Sequence, residues 1–247
     1  VIGELAKVNK NLIVVNISGN AVAMPWVNEV PAIVQGWFLG SETGTALASV
    51  LLGDANPSGK LPFTFPARLE DVGAHKLGEY PGNKEELAHS KNNGDTINEI
   101  YREDIFVGYR WADKEKIKPL FPFGYGLSYT TFKYGKMKLD SSVKVGETAK
   151  ITVPVTNTGS RDGEEVVQVY LKKNGETDGP IKTLRAFKRV RIPAGKTVKV
   201  ELELTPKQLE WWDNTTNTMR TMQNTFDVLV GGSSQEKDLQ KKTLKLL

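Results

Sequence analysis

The stretch IYREDIFVGYRWADKEKIKPLFPFGYGLSYTTFKY, residues 100–134, separates two halves of the chain that carry different sequence patterns. It is dense in aromatic residues: Tyr101, Phe106, Tyr109, Trp111, Phe121, Phe123, Tyr125, Tyr129, Phe132 and Tyr134. Proline and glycine interrupt it repeatedly, so neither one long helix nor one regular strand fits it. Because aromatic side chains bury a large area and keep a polar tip for hydrogen bonds, we interpret the stretch as a packed connector between two domains.

The half before the connector alternates strand-like and helix-like segments. Asn11–Ser18 and Ala32–Phe38 are β-branched and apolar runs of the kind found in strands buried on both faces. Gly40–Leu52 has helical spacing, with Ser41 as the expected N-cap and Gly53 as the stop. This order predicts right-handed crossover units in a parallel sheet. Two such units leave both faces and one edge uncovered, so we expect this half to need partner strands that the chain does not supply.

Residues 67–98 form a polar stretch with little periodicity, including Asn92-Asn93-Gly94-Asp95. A loop of this length is uncommon and lies either at a functional rim or in a disordered segment. We favour the rim, and both interpretations stay open.

The half after the connector contains only strand patterns, in the runs 136–140, 149–157, 164–172, 183–192, 197–204 and 225–230. Turn signals such as Asn174-Gly175 separate them. Short alternating strands at this spacing predict an antiparallel β-sandwich of the immunoglobulin or fibronectin type III kind. Pro154 should then lie on a sheet edge or at a bulge.

The predicted fold class is therefore α/β plus all-β, with a partial parallel-sheet α/β sandwich followed by an antiparallel β-sandwich. The expected domains are the C-terminal part of an α/β sandwich domain at 1–66, a long loop and aromatic connector at 67–130, and the β-sandwich domain at 131–247.

Charge and hydropathy argue against two classes of partner, nucleic acids and membranes. The 247 residues have a formal net charge of +4, and the excess lysines are scattered or lie in the expected C-terminal tail at Lys237, Lys241, Lys242 and Lys245. We interpret them as solvated surface, with no nucleic-acid partner. No apolar run reaches the length of a membrane span, so no membrane partner is expected.

The chain has no cysteine, and its only histidines are His75 and His89. This excludes disulfides, thiolate chemistry and cysteine-based zinc sites, and it argues against a Ser-His-Asp triad or a multi-histidine metal site. The chain begins at Val1 without methionine and soon enters a buried-type strand, so we expect a piece of a longer protein.

Carboxylates remain as the candidate catalytic groups. The best cluster is Glu99, Glu103 and Asp104, beside Arg102 and Arg110. A carboxylate pair is what glycoside hydrolysis requires, one as acid and one as nucleophile or base. The alternative, which we favour, is ion pairing with the arginines at a domain boundary.

Other candidates have structural explanations that we favour. Glu42 could be an active-site acid, but a negative charge near a helix N-terminus is stabilising in its own right. The glycine pairs in Phe123–Gly126 and Gly40–Gly44 lack the full dinucleotide fingerprint. Trp211 and Trp212 could stack on a sugar ring, yet adjacent strand residues face opposite ways, so at most one is exposed. Core packing or a position at a corner of the sandwich is the default for both.

Several long motifs together resemble the C-terminal portion of family 3 glycoside hydrolases, which are β-glucosidases, β-xylosidases and related exo-acting enzymes. They are WFLGSETGTALASVLLGDANPSGKLPFTFP (37–66), YREDIFVGYRW (101–111), PLFPFGYGLSYTTFKY (119–134), VPVTNTGSRDGEEVVQVYL (153–171) and LVGGSS (229–234). The chain departs from the family pattern at Leu39, where proline is common, and in the segment leading to the last of these motifs.

The resemblance implies that residues 1–66 end the family's α/β sandwich domain and that residues from about 131 onward are its fibronectin type III-like domain. Family members use an aspartate nucleophile in an N-terminal barrel, within a Ser/Thr-Asp-Trp context. No aspartate here precedes a tryptophan, and the acid/base glutamate is expected upstream of Val1. We therefore assign no catalytic residue, metal ligand or cofactor, and we do not assign Glu103 to the missing role.

For the full-length enzyme the resemblance implies retaining hydrolysis of a β-glycoside or oligosaccharide, and a periplasmic or secreted location. We expect this chain alone to be inactive, to shape the sugar site through the 67–98 loop, and to pack against the missing barrel and α/β domain. The uncovered sheet edge in residues 1–66 also suggests homo-association. The alternatives are a free-standing carbohydrate-binding or adhesion module and, less favoured, a nucleotide-binding α/β protein.

Overall fold

The computed structural model describes residues 1–80, 82 and 100–247. They form two compact units. The α/β unit comprises 1–55, 64–102 and 118–121, and the sandwich unit comprises 56–63, 103–117 and 122–247. The domain boundaries expected at residues 66 and 130 stay a prediction.

The α/β unit contains short helices and one pair of strands. Its elements are α1 (Ile2–Val8), β1 (Ile13–Asn16), β2 (Ala32–Gln35), α2 (Thr43–Leu52) and α3 (Gly73–Lys76), with 3-10 turns at Gly40–Glu42 and Leu69–Asp71. Helix α1 was not predicted, because seven residues are too few for the 3.6-residue period to stand out.

Strands β1 and β2 pair in parallel, from Ile13 opposite Ala32 to Asn16 opposite Gln35, which confirms the predicted parallel arrangement. The Asn16 side chain donates to the Gln35 amide oxygen over 2.6 Å at the end of the pair. Both strands are shorter than predicted. Strand β2 ends early because Trp37 adopts φ 53, a left-handed conformation that a strand cannot continue through.

Helix α2 confirms the predicted helix and its stop, since Gly53 has φ 86 as a left-handed C-cap. The prediction that Ser41 caps it was wrong: Ser41 lies inside the preceding 3-10 turn. There Thr43 Oγ1 donates to the Gly40 carbonyl over 2.6 Å. No residue of α2 is buried, and Leu52 is 80% exposed.

The sandwich unit carries one helix, α4 (Tyr109–Lys114), among its described elements, and a long series of strands. The strands are β3 (Phe132–Tyr134), β4 (Lys138–Leu139), β5 (Ser142–Val143), β6 (Ala149–Asn157), β7 (Gly163–Lys173), β8 (Thr183–Ile192), β9 (Thr197–Leu204), β10 (Trp211–Asp213), β11 (Thr218–Arg220), β12 (Asn224–Gly231) and β13 (Leu239–Leu246). Short 3-10 turns lie at Pro206–Leu209 and Glu236–Asp238.

These strands form the predicted β-sandwich. One sheet has the order β5-β13-β12-β7-β8, and in the other β6 pairs with β3, β4 and β9. Along β6 every second residue is buried, from Ala149 to Asn157, as the alternation of its sequence predicts. The core between the sheets is apolar, with Ile151, Val153, Val155, Val167, Val169, Leu171, Val200, Leu202, Val228, Val230 and Leu244 among its buried residues. The fold class is confirmed in both halves.

The interpretation of the C-terminal lysines as a tail was wrong. Strand β13 pairs antiparallel with β12 along its whole length and parallel with β5, so it lies inside its sheet. Leu244 and Leu246 are buried while Lys245 between them is exposed. Lys241 and Lys245 occupy outward positions of the strand, Lys242 is half-buried on the side of Leu244 and Leu246, and Lys237 lies in the preceding 3-10 turn. The charged residues between the leucines hid the strand in the sequence.

Pro154 lies in the inner strand β6 and not on an edge. On one side it pairs with Lys199 of β9. On the other it faces the break between β3 and β4, where the Gly135 amide donates to the Pro154 carbonyl over 2.7 Å. A residue without an N–H is tolerated at such an interruption of the ladder.

The part of the connector within the sandwich unit is packed. The Tyr109 ring of α4 meets Tyr170 of β7 edge-on, with centroids 5.9 Å apart. Its hydroxyl accepts the Leu184 amide of β8 over 3.0 Å, and the Ser234 amide donates to the Phe123 carbonyl over 2.9 Å. These contacts support the interpretation of residues 103–117 and 122–130 as a packed segment.

Candidate functional site

The carboxylate cluster at the start of the connector places its residues in different environments. Glu103 is only 8% exposed, and its Oε2 has no hydrogen-bond partner among the described residues. Asp104 is exposed and has φ 55, a left-handed conformation that asparagine and aspartate tolerate better than most residues. Glu99 lies outside the described residues. A buried carboxylate beside an exposed one does not make the facing pair that hydrolysis requires.

The arginine expected to pair with this cluster has another partner. Arg102 Nε lies 3.2 Å from Oε1 of the buried Glu79. The Arg102 amide also donates to Oε2 of Glu79 over 3.0 Å. The partner of Arg102 is thus not one of the three predicted carboxylates but a residue 23 positions earlier, which no spacing rule connects to it.

A second ion pair fixes α4 and was missed in the sequence. Lys182 Nζ donates to the Asp113 carboxylate over 2.5 Å, and the Lys182 side chain is buried. Burial raises the pKa of Asp113, and the neighbouring Lys182 opposes this effect. The pair attaches the end of α4 to the start of β8.

The glycines of Phe123–Gly126 serve close packing. Gly124 has φ 79, and a Cβ built on it would lie 2.0 Å from Oε1 of Gln168. The Gln168 amide donates to the Gly124 carbonyl over 3.1 Å and to the Gly232 carbonyl over 2.7 Å. A Cβ on Gly126 would lie 2.2 Å from the Gly59 carbonyl oxygen. These contacts explain the glycines without a bound phosphate.

Glu42 directly precedes α2, is exposed and makes no side-chain cap. It lies at the helix N-terminus, where its negative charge is favourable, as the preferred interpretation states. Gly40 has φ 71 with open space around its Cβ position, so it provides a turn.

Trp211 and Trp212 face opposite ways, as predicted. Trp211 is buried against Phe226, with ring centroids 6.0 Å apart. The Arg185 guanidinium stacks over it at 4.9 Å. Trp212 is 49% exposed, so core packing holds for Trp211 and not for its neighbour.

A buried polar network joins three parts of the sandwich unit. Lys60 Nζ lies 3.1 Å from the Glu165 carboxylate, and the Tyr134 hydroxyl donates to Glu165 over 3.1 Å. Burial and the adjacent Glu165 charge raise the pKa of Tyr134. Tyr134 thus stays a neutral hydrogen-bond donor. Sequence inspection missed this network, since Lys60 and Glu165 are 105 residues apart.

A pocket of about 270 Å³ opens beside β8 and β9. It is lined by Arg185, Ala186, Phe187, Lys188, Leu202, Glu203 and Gln208. Burial lowers the pKa of Arg185, with the like charge of Arg110 adding to the effect. Glu203 is the single carboxylate in this lining, so the pocket lacks the acid pair of a glycosidase.

Neither histidine indicates a metal centre in the described part of the chain. The His75 ring packs edge-on against Tyr80 with centroids 5.0 Å apart, and His89 lies outside the described residues. Residues 1–80, 82 and 100–247 contain no group of three or more His, Asp or Glu side chains placed to hold a metal ion. Among the same residues no helix has the length and apolar character needed to cross a membrane.

Comparison with known proteins finds a matching family model in each half of the chain. Residues 1–129 match the model of the glycosyl hydrolase family 3 C-terminal domain, and residues 165–234 match a fibronectin type III-like domain. Beta-glucosidase BoGH3A from Bacteroides ovatus is 43% identical over 239 residues, which are 95% of this chain and 30% of the relative. Xylan 1,4-beta-xylosidase from Xylanibacter ruminicola is 42% identical over 98% of this chain and 25% of its own length.

A solved structure of a family relative is also similar to this chain. DesR, a beta-glucosidase from Streptomyces venezuelae in complex with D-glucose, superposes with a TM-score of 0.86 at 36% identity, covering 100% of this chain and 30% of DesR. The chain thus spans about 30% or less of the curated relatives named above. Since the family model covers residues 1–129 of 247, more than half of the chain, the chain belongs to the glycosyl hydrolase family 3 C-terminal domain family.

Proposed function

We propose that this chain is the C-terminal part of a retaining, exo-acting β-glycosidase that removes terminal β-D-glucosyl or related residues. The observation that carries the proposal is the match of residues 1–129 to the family 3 C-terminal domain, in a chain that is 43% identical to a beta-glucosidase. In a retaining enzyme one carboxylate attacks the sugar and a second acts first as acid and then as base, about 5–5.5 Å from it.

The reactive carboxylates of this enzyme lie in its upstream part, and this chain supports the domain that holds the acid/base. The buried Glu103 and the exposed Asp104 do not form the required pair. The 67–98 loop is proposed to shape the wall of the sugar site. Residues 81 and 83–98 of that loop lie outside the described residues, so its role stays a prediction.

The partners of the α/β unit are the preceding strands and helices of the same domain and the barrel. A two-stranded parallel sheet with an unburied α2 supports this proposal, because parallel sheets are covered on both faces. Association of two copies through residues 1–66 is a further prediction that gel filtration of the chain would test.

The proposal is tested by assaying aryl β-glucosides with this chain and with the full-length protein that contains it. We expect no turnover above a buffer blank for the chain and clear turnover for the full-length protein. Activity of the chain alone would contradict the location of the carboxylates, and an inactive full-length protein would contradict the glycosidase.

A free-standing carbohydrate-binding module is the second candidate, and the exposed Trp212 is the observation in its favour. Phe187 is also exposed, at 68%, but it lies on a different strand. Titrating glucans while recording tryptophan fluorescence tests this candidate. Saturable binding that is lost in Trp212→Ala would support it, and unchanged fluorescence would exclude stacking on this residue.

A further inference from the structure

The pocket of about 270 Å³ lies at one side of the sandwich, between the edges of its two sheets. Strand β8 pairs with β7 and strand β9 pairs with β6, so β8 and β9 are edge strands of different sheets. Residues 185–188 line the pocket on one side, and Leu202 and Glu203 line it on the other. Lys188 Nζ donates across the gap to the Glu201 carbonyl over 3.2 Å. The pocket therefore follows two sheet edges that no other described strand covers.

One wall of the pocket is held in place by Gln208, in the 3-10 turn Pro206–Leu209. Gln208 Nε2 donates to the Arg185 carbonyl over 3.0 Å, and its Oε1 accepts the Thr205 amide over 2.8 Å. Leu209, the next residue of the turn, is fully buried in the sandwich core. The turn is thus fixed both to β8 and to the core, so the pocket is already formed in the free chain, as small-molecule sites usually are.

Arg185 occupies the extra position of a β-bulge in β8. Leu184 pairs with Tyr170, and Ala186 pairs with the adjacent Val169. Arg185, between the first two, therefore has no residue opposite it on β7. Bulges are frequent at sheet edges and beside active sites, where they re-aim a side chain. The bulge thus releases Arg185 from the regular alternation of its strand.

The guanidinium of Arg185 is half-buried and is paired with no carboxylate among the described residues. It lies over the Trp211 ring at 4.9 Å and donates through Nη2 to the Glu210 carbonyl over 3.0 Å. Neither contact supplies a negative charge, since the Glu210 carboxylate pairs with Lys207 at 2.9 Å. Burial, followed by the like charge of Arg110, lowers the pKa of Arg185. Because charges removed from water are normally paired, this cation favours an anion from outside the described residues.

The other side chains of the lining suit a sugar ring. Phe187 is 68% exposed and offers an apolar face that the C–H groups of a pyranose can cover. Lys188 adds hydrogen-bond donors, and the exposed Glu203 adds an acceptor for hydroxyl groups. With two cations and one carboxylate, the lining as a whole attracts an anion. A volume of about 270 Å³ lies just below the usual range of ligand sites, which suits a ligand of one ring.

We propose that this pocket binds an acidic sugar, a uronic acid residue at the end of an oligosaccharide, with its carboxylate on Arg185 and its ring on Phe187. One N–H of Arg185 Nη2 is used on Glu210, which leaves Nη1 and the second Nη2 proton as donors. These two groups match the two oxygens of a carboxylate. The pocket thus gives the sandwich unit a ligand that the proposed function does not include. Its binding requires none of the carboxylates of hydrolysis, so it can be measured on this chain.

The experiment titrates the isotope-labelled chain with methyl β-D-glucuronide and follows the amide resonances of residues 185–188 and the Trp211 indole. We expect saturable shifts with a Kd on the order of 1 mM, the affinity of a one-ring ligand of ordinary efficiency. The Trp211 indole should shift with the others, because the guanidinium lies on its ring. Absence of shifts at these residues overturns the site.

Two further ligands separate the parts of the acidic sugar. Methyl β-D-glucoside has the ring without the carboxylate, and acetate has the carboxylate without the ring. Each should bind at least about tenfold more weakly than the glucuronide, since each lacks one of the two contacts. Equal binding of the glucoside would make the pocket a site for neutral sugars, and equal binding of acetate would make it a general anion site. Either result overturns the acidic sugar as the ligand.

Arg189→Gln is the matched control for Arg185→Gln, because Arg189 lies on the same strand but pairs with Glu164 outside the pocket. We expect Arg185→Gln to weaken glucuronide binding at least about tenfold and Arg189→Gln to leave it unchanged. Equal weakening by both variants would mean a general attraction of the anion to a positive strand, and it overturns the site.

Phe187→Ala keeps the test valid if Arg185→Gln does not fold. Phe187 is mostly in water, so its truncation should leave the fold intact. It should weaken glucuronide binding about three- to tenfold, because the ring of the sugar loses its apolar contact. Unchanged binding in Phe187→Ala overturns the proposed position of the ring.

Discussion

Gly124 and Gly146 share a backbone conformation but have different surroundings. Their φ angles are 79 and 91, both in the left-handed region that favours glycine. A Cβ on Gly124 would lie 2.0 Å from Gln168 Oε1, whereas a Cβ on Gly146 would meet nothing within 4 Å. The pair separates the effect of backbone strain from that of crowding.

We predict that Gly124→Ala destabilises the chain more than Gly146→Ala. Both substitutions should lower the free energy of unfolding by about 1–2 kcal/mol, because an L-residue is strained at positive φ. Gly124→Ala should lower it by about 1–3 kcal/mol more, since the Gln168 amide has to shift and its hydrogen bonds weaken. Urea unfolding followed by circular dichroism measures both, and equal losses would contradict the close approach of Gln168.

Asp213 organises the turn between β10 and β11. Its carboxylate accepts the Thr215 amide over 2.9 Å and the Thr216 hydroxyl over 2.9 Å. Arg220 Nη1 lies 3.2 Å from it. The Thr215 amide, followed by the Thr216 hydroxyl, lowers the pKa of Asp213 below its usual value.

This lowered pKa predicts a pH dependence with a definite sign. A carboxyl whose pKa is lower in the folded state contributes stability above its unfolded pKa of about 3.9, and loses it as the pH falls through the folded value. The turn should therefore weaken below about pH 4. Chemical shifts of Thr215 and Thr216 followed against pH provide the measurement. Asp213→Asn should remove this titration, and an Asp213 that titrates at or above its unfolded pKa would contradict the prediction.

At the scale of elements, strands with one buried face were the most predictable. The predicted runs 149–157, 183–192 and 197–204 coincide with β6, β8 and β9. In β6 and β9 the apolar residues at alternate positions face the core, and a shift by one residue would expose them. The hairpin strands β10 and β11 were not predicted, because at three residues each they carry no period.

Contacts between distant side chains could not be predicted. Lys182 and Asp113 are 69 positions apart, and Lys60 and Glu165 are 105 apart. A spacing rule reaches only a neighbouring turn or strand, while these pairs depend on how α4 and the segment 56–63 pack against β7 and the start of β8. This is also why Glu103 and Asp104 looked like a cluster in the sequence although only the first is buried.

Neighbouring residues of strand β13 differ in burial. Leu244 is fully buried and its neighbour Lys245 is exposed. We predict that Leu244→Ala lowers the free energy of unfolding by about 2–5 kcal/mol and that Lys245→Ala changes it by about 0.5 kcal/mol or less. Thermal unfolding distinguishes the two variants. Similar small effects would mean that the C-terminal residues behave as a solvated tail after all.

At the scale of the whole molecule, the two units bury their apolar residues to different extents. The sandwich unit has a contiguous apolar core between its sheets. In the α/β unit, α2 has no buried residue, and Phe38 and Leu52 are each 80% exposed. Large apolar side chains exposed to this extent are expected where another part of a protein covers them.

Substitution of Leu52 tests the proposal that the upstream part of the enzyme covers this surface. In the present chain Leu52→Ser should change the free energy of unfolding by about 0.5 kcal/mol or less, because the side chain is already in water. In the full-length protein, where we propose that strands and helices of the same domain pack on α2, it should cost about 2–5 kcal/mol, in the range found for truncating a buried leucine.

The measurement is urea unfolding of both proteins, each with and without the substitution. Leu202→Ser is the control, because Leu202 lies in the apolar core of the sandwich. It should destabilise the two proteins alike, since both contain this sandwich. A neutral Leu52→Ser in the full-length protein would mean that α2 stays exposed there. The α/β unit would then not need the upstream chain to complete its core.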